Sequence, residues 1–134
     1  MNSLKNVALA FLLGAFLLMT NAASAGEGAS SGSDMLAKVE AITVNLIGPS
    51  QQYIQVEMTL KLAKPELAER VKLYMPVIRH NMILLLTSKD ATQLGLIEGK
   101  QKLVQEARDA VNQALERSDR DGVIEVLFSS FIIQ

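Results

Sequence analysis

The chain has 134 residues, 49% of them hydrophobic, with 13 basic residues against 14 acidic ones and no cysteine. That length fits one domain, and the lack of cysteine excludes a disulfide framework, a thiol nucleophile and a thiolate metal site. Basic residues scattered among acids exclude a nucleic-acid face, which needs a clustered positive field.

Residues 1–25 read as an address label rather than as part of the fold. Lys5 supplies an n-region charge, Val7 to Met19 is an unbroken apolar run, and Ala23-Ser24-Ala25 gives the small-x-small pattern a signal peptidase needs before Gly26. The competing reading is a signal anchor. A spanning helix wants about 20 predominantly apolar residues, however, and the Thr-Asn-Ala-Ala-Ser-Ala tail is a poor lipid-facing end. With no cysteine at the cleavage point, a lipoprotein is excluded. Cleavage would remove Lys5 from the 13 basic residues and leave all 14 acids, a formal net charge of −2. Residues 26–34 (GEGASSGSD) form a Gly/Ser-rich tether, and residues 35–134 are expected to be the domain.

Met35 to Ile47 reads as a strand, with Ala41, Thr43 and Asn45 alternating against Ile42, Val44 and Leu46. Gly48-Pro49-Ser50 is turn chemistry. From Ile54, the residues Ile54, Val56, Met58, Leu60 and Leu62 alternate with polar neighbours, which places one face on a core. Pro65 suits the first turn of a helix. Leu67, Val71, Tyr74 and Met75 follow at helical spacing, and Pro76 predicts a break or kink. A second helix is expected from about Pro76 to Thr87, apolar nearly all round in its second half, so that it must be covered on more than one side. Ser88-Lys89-Asp90 marks a turn and a candidate cap into a short helical piece through Gln93-Leu94, and Gly95 and Gly99 flank another break. Gly99 to Arg117 gives a long amphipathic helix with Leu103, Ala107, Ala110, Val111, Ala114 and Leu115 on one stripe. Its polar face carries Lys102, Gln105, Glu106, Asp109, Asn112, Gln113 and Glu116. After a polar turn at 118–122, Val123 to Gln134 is a strand. The expectation is a single α+β domain of order β-β-α-α-α-β, with helices packed on one face of a small sheet.

No reactive constellation emerges. His80 is the one histidine, beside Arg79, and reads as a residue on the polar side of its helix. Ser129 and Ser130 lack a nucleophile elbow. Gly95 and Gly99-Lys100 lack the full phosphate-loop spacing and its hydroxyl. Glu66 with Glu69 and Asp119 with Asp121 read as solvated faces or caps rather than as paired catalytic acids. No catalytic residue, metal ligand or cofactor is expected. Two features point to interaction instead. One is the apolar excess on Val77 to Leu86, with Val77, Met82, Ile83 and Leu84 as candidate contacts. The other is the terminal strand, which carries Phe128 and Phe131 and is apolar on both faces. Such a strand is either central and covered on both sides, or an edge that pairs with a neighbour. Self-association is the expectation.

Taken in order, these segments resemble the flagellar basal-body-associated FliL family. The matching pieces are Val44-Asn45-Leu46, the alternating Tyr53 to Leu60 strand, Ile78-Arg79 through Leu84-Leu85-Leu86-Thr87-Ser88, Glu98-Gly99-Lys100 through Leu103, and the ending Val126-Leu127-Phe128-Ser129-Ser130-Phe131-Ile132-Ile133-Gln134. The resemblance covers about residues 35–134. It implies a periplasmic domain with a stomatin/SPFH-like fold, oligomerisation into rings around the motor's stator units, and support of swimming and swarming, without enzyme activity or cofactor. Partners would be the periplasmic region of the stator proteins and further copies of the chain, at the inner membrane. Members of the family usually carry a transmembrane helix, whereas this chain opens on what reads as a cleavable signal. A soluble periplasmic paralogue is therefore implied. The rival reading is a general periplasmic or membrane-associated stomatin-like scaffold unrelated to motility.

Overall fold

The computed structural model describes residue 32 and residues 34–134. The leader expected over 1–25 lies outside the described residues, as does nearly all of the tether. Three strands and three helices follow in the order β1 (Leu36–Asn45), β2 (Tyr53–Leu62), α1 (Leu67–Thr87), α2 (Ala91–Leu94), α3 (Ile97–Leu115) and β3 (Val123–Ile133). They form one α+β domain around an antiparallel sheet of order β1-β2-β3.

The strict alternation of β2 makes it the central strand. Ile54, Val56, Met58, Leu60 and Leu62 are all fully buried on one face, and each such side chain contributes about 1.5–3 kcal/mol of hydrophobic stabilisation. α1 lies over β1, α3 lies over β3, and the two helices pack on each other. Their inward stripes are Leu67, Val71, Ile78, Met82 and Leu86 on α1, and Leu103, Ala107, Val111, Ala114 and Leu115 on α3. Arg70 Nε donates to Leu115 O at 2.8 Å and Asn81 Nδ2 donates to Ala110 O at 3.1 Å. The first of these satisfies a carbonyl that the end of α3 would otherwise leave open.

Pro76 does not divide the helix; α1 runs from Leu67 to Thr87 through it. Pro76 and Lys72 are both exposed, so the Lys72 carbonyl that loses its intrahelical donor faces water. The third helix is instead α2, where Asp90 Oδ1 accepts from Thr92 N at 2.7 Å and from Gln93 N at 3.4 Å. Gly99 marks no break and lies inside the first turn of α3. A Cβ there would sit 1.9 Å from Gln93 O, so glycine is what lets α3 start against α2. The helix closes at Glu116, whose φ of 53° is left-handed.

Asn112 corrects the polar face expected of α3. It is buried, its Oδ1 accepts from Val123 N at 2.7 Å, and its Nδ2 donates to Val123 O at 2.9 Å. The side-chain amide thus behaves like one residue of a neighbouring strand at the start of β3. The far end of β3 is fixed by Tyr53 and Gln134, which exchange backbone hydrogen bonds of 2.7 and 3.0 Å.

Candidate interaction surface

α1 presents two faces of opposite use. At 100° per residue, its buried residues centre on one side. Leu73, Pro76, Val77, His80, Ile83, Leu84 and Thr87 occupy an arc of about 120° directly opposite. All seven are exposed, and Leu73 is 76% and Leu84 58% accessible. From Leu73 to Thr87 this arc carries no acidic or basic side chain apart from the imidazole. Lys72 and Arg79 border it, and Arg79 is turned to β1, where it donates to Glu40 O at 3.0 Å and Ala41 O at 3.1 Å. Those carbonyls belong to the irregularity between Val39 and Ile42, so Arg79 blunts that sheet edge.

Of the expected contacts on this helix, Val77, Ile83 and Leu84 are exposed, whereas Met82 is fully buried. Met82 is two residues from Leu84 and therefore about 160° round the helix, facing the sheet; it is a core residue and not a surface one. Leu73 and Pro76 belong to the exposed arc and were not expected there. Reading the helix as continuous through Pro76 would have found them. His80 faces solvent, but its neighbours on that face are Val77 and Leu84 rather than polar side chains.

β3 is an edge strand and not a central one, since β2 occupies its one paired side. Two register shifts against β2 change which residues point inward. Val123, Val126, Phe128, Phe131 and Ile133 share the face of the β2 core residues. Leu127 and Ile132 share the opposite, open face with Thr59 and Gln55. Phe128 and Phe131 are half-buried and meet edge-on, with centroids 5.6 Å apart and planes at 82°, a favourable aromatic geometry. Lys100 of α3 places its Nζ 5.7 Å from the Phe131 centroid. Between α3 and β3 these residues line an open groove of about 480 Å³ together with Val104, Val126 and Leu127. It is largely apolar, with Lys100 and Glu125 as its charged members.

The remaining polar groups hold structure. Glu69 accepts from Lys72 Nζ at 3.1 Å, Glu106 pairs with Lys89, and Lys61 Nζ lies 3.8 Å from Glu125. Asp121 Oδ1 accepts from the Ser118 hydroxyl at 2.6 Å and from Ser118 N at 2.9 Å. The Ser118 hydroxyl first, and then its N–H, hold the Asp121 carboxyl below the ordinary carboxylate range. Among the described residues no three His, Asp or Glu side chains gather as a metal site would require, and no helix is long and apolar enough to cross a membrane.

A chain with this order of elements, apolar surface on one helix face and one strand edge, and the terminal Phe-Ser-Ser-Phe segment matches the family model of the flagellar basal body-associated protein FliL over residues 36–134. The chain belongs to the FliL family. It is 29% identical over 97 residues to flagellar protein FliL of Escherichia coli strain K12, a match covering 72% of this chain and 62% of that protein. It is 32% identical over 92 residues to flagellar protein FliL of Aquifex aeolicus strain VF5, covering 68% of this chain and 55% of that one. The chain therefore spans less than two thirds of the length of these FliL relatives. Membership places it among flagellar basal-body-associated proteins.

Proposed function

We propose that this chain is a non-enzymatic accessory of the flagellar motor that self-associates and supports the stator in swimming and swarming. It acts in the periplasm, at the basal body and inner membrane, as a soluble or leader-anchored relative of the family with a stomatin/SPFH-like domain. The observation that carries the reading is the family match across 36–134, which spans β1 to β3, α1 to α3 and both apolar surfaces. Val77, Ile83 and Leu84 on α1, and Phe128 and Phe131 beside the groove, are the proposed contacts. Such half-exposed aromatic and aliphatic side chains are the kind that anchor protein interfaces. The groove beside the open edge of β3 suits a segment of the stator's periplasmic region, because an edge strand offers unpaired backbone groups and the groove takes side chains.

Deletion and complementation test this. Loss of the chain lowers swarming and the torque of tethered cells, and the full chain restores both. Unchanged torque and unchanged stator occupancy in the deletion strain would overturn the proposal.

A further inference from the structure

The free edge of β3 reads alike in both directions. Val126-Leu127-Phe128-Ser129 is answered by Ser130-Phe131-Ile132-Ile133, so aliphatic, aliphatic, phenylalanine and serine recur in reverse order. The register agrees with the sequence. Between Val126 and Ile133 only Ser129 lacks a partner on β2, and it stands at the centre of the repeat. On either side of it, Val126, Phe128, Phe131 and Ile133 share the helix-facing side of the sheet, and Leu127 and Ile132 the open side. We infer that β3 pairs antiparallel with β3 of a second copy, on a two-fold axis between Ser129 and Ser130. The inference rests on the proposed self-association and names its contact. One edge takes one strand, so the second copy and the stator segment proposed there occupy it in turn.

Backbone direction fits the same register. Tyr53 and Gln134 exchange both backbone bonds, and in an antiparallel ladder such pairs alternate with pairs whose N–H and C=O turn away. Phe131 and Ile133 therefore aim theirs at the open edge, as do Val126 and Phe128 on the same face beyond Ser129. Pairing sets Phe128 against Phe131 of the second copy and Val126 against its Ile133, each twice, so outward donors meet outward acceptors. Such reciprocity is what a two-fold contact requires; an unrelated strand would have no use for it. Charge runs the same way. The groove beside β3 has Lys100 over Phe131 and Glu125 at its other end, so antiparallel pairing lays the Glu125 end of one copy toward the Lys100 end of the other. Parallel pairing would set each charge against its like. The opposite edge of the sheet is closed to such a partner. Arg79 occupies the Glu40 and Ala41 carbonyls of β1, and Lys38 and Glu40 charge that strand. From Val126 to Ile133, β3 carries no charge, and a long apolar edge left bare is a template for pairing.

The chain lacks cysteine, so cross-linking tests the register in the full-length protein in cells. Leu127 of one copy lies opposite Ile132 of the other in a non-hydrogen-bonded pair, with Cα atoms about 4.5 Å apart, within the span of a disulfide. Both side chains are exposed, so the core is untouched; circular dichroism of each variant checks this. Copies carrying Leu127→Cys and Ile132→Cys, with different tags, are co-produced and oxidised. The expected result is a disulfide between the L127C and I132C copies and none within either variant alone. Identical positions would lie about 14 Å apart along the paired strands, well beyond a disulfide. In sedimentation, the double variant L127K/I132E should dimerise about tenfold more tightly than L127K/I132K, because opposite rather than like charges face each other across the axis. Folded variants that form no mixed link would overturn the inference. So would L127C linking to L127C, or equal affinity of the two double variants. A chain that fails to link but still restores torque removes the paired edge and leaves the motor reading standing. A linked dimer in cells whose loss leaves torque unchanged does the opposite.

Discussion

Replacing Asn112 by alanine should destabilise this domain far more than its place in a polar run of α3 suggests. The amide makes two hydrogen bonds, 2.7 and 2.9 Å, to the backbone of Val123, and Val123 is fully buried. Asn112→Ala removes both and leaves the Val123 N–H and C=O without partners. Each stranded buried group costs about 1–3 kcal/mol, so the pair amounts to about 2–6 kcal/mol. For a domain of roughly 100 residues, each kcal/mol lost lowers the melting temperature by about 4–8 °C. Urea unfolding followed by circular dichroism, with the m-value compared between variants, separates a change in stability from a change in the unfolded state. The neighbouring Gly122 supplies an internal control. A Cβ on Gly122 would lie 2.3 Å from Asn112 Oδ1 and 2.7 Å from both Arg117 Cβ and the Ser118 carbonyl oxygen, so Gly122→Ala should be destabilising in the wild type and only partly relieved in the Asn112→Ala background. A loss below about 1 kcal/mol for Asn112→Ala would refute the view that this amide anchors the start of β3.

Three further outcomes follow from named contacts. Glu116→Gly should stabilise the domain by about 0.5–1 kcal/mol in the same urea assay, because Glu116 sits at φ 53°, where glycine is unstrained. Gly99→Ala should lower stability by more than 1 kcal/mol, roughly the cost of overpacking, since its Cβ would meet backbone at 1.9 Å; thermal melting checks it. Ser118 holds the Asp121 carboxyl below 3.8, so this turn's contribution is fully present above that ordinary value. It is lost as pH falls through the lower folded one. An NMR titration should place the Asp121 midpoint below 3.8 in the wild type and return it toward 3.8 in Ser118→Ala.

The fold was legible where a residue pattern had only one physical use. The alternation of Ile54 through Leu62 made β2 a half-buried strand, and the stripe Leu103 to Leu115 set the inward face of α3. It was obscured where solvent or a second residue altered the rule. Pro76 reads as a helix break, yet the carbonyl it deprives faces water, and splitting the helix there hid the stripe that joins Leu73 to Val77 and Leu84. The register shifts in β3 put Phe128 and Phe131 on one face although they are three residues apart, which simple alternation assigns to opposite faces. Asn112 reads as polar surface because its partner, the Val123 backbone, leaves no trace in side-chain patterning. Of the apolar run Met82-Ile83-Leu84, Ile83 and Leu84 are exposed and Met82 is core. Burial depends on which turn of the helix the sheet reaches, and the run alone carries no such phase.

The central claim is that this FliL-family chain acts with the stator at the flagellar base. Imaging a tagged full-length chain in motile cells, with and without the stator proteins, tests it most directly. The tag belongs within residues 26–34, because Gln134 is hydrogen-bonded to Tyr53 at the end of the sheet. The account predicts foci at flagellar bases that fade when the stator is deleted. Uniform envelope staining, indifferent to the stator, would contradict it and assign the domain to a scaffold role apart from motility.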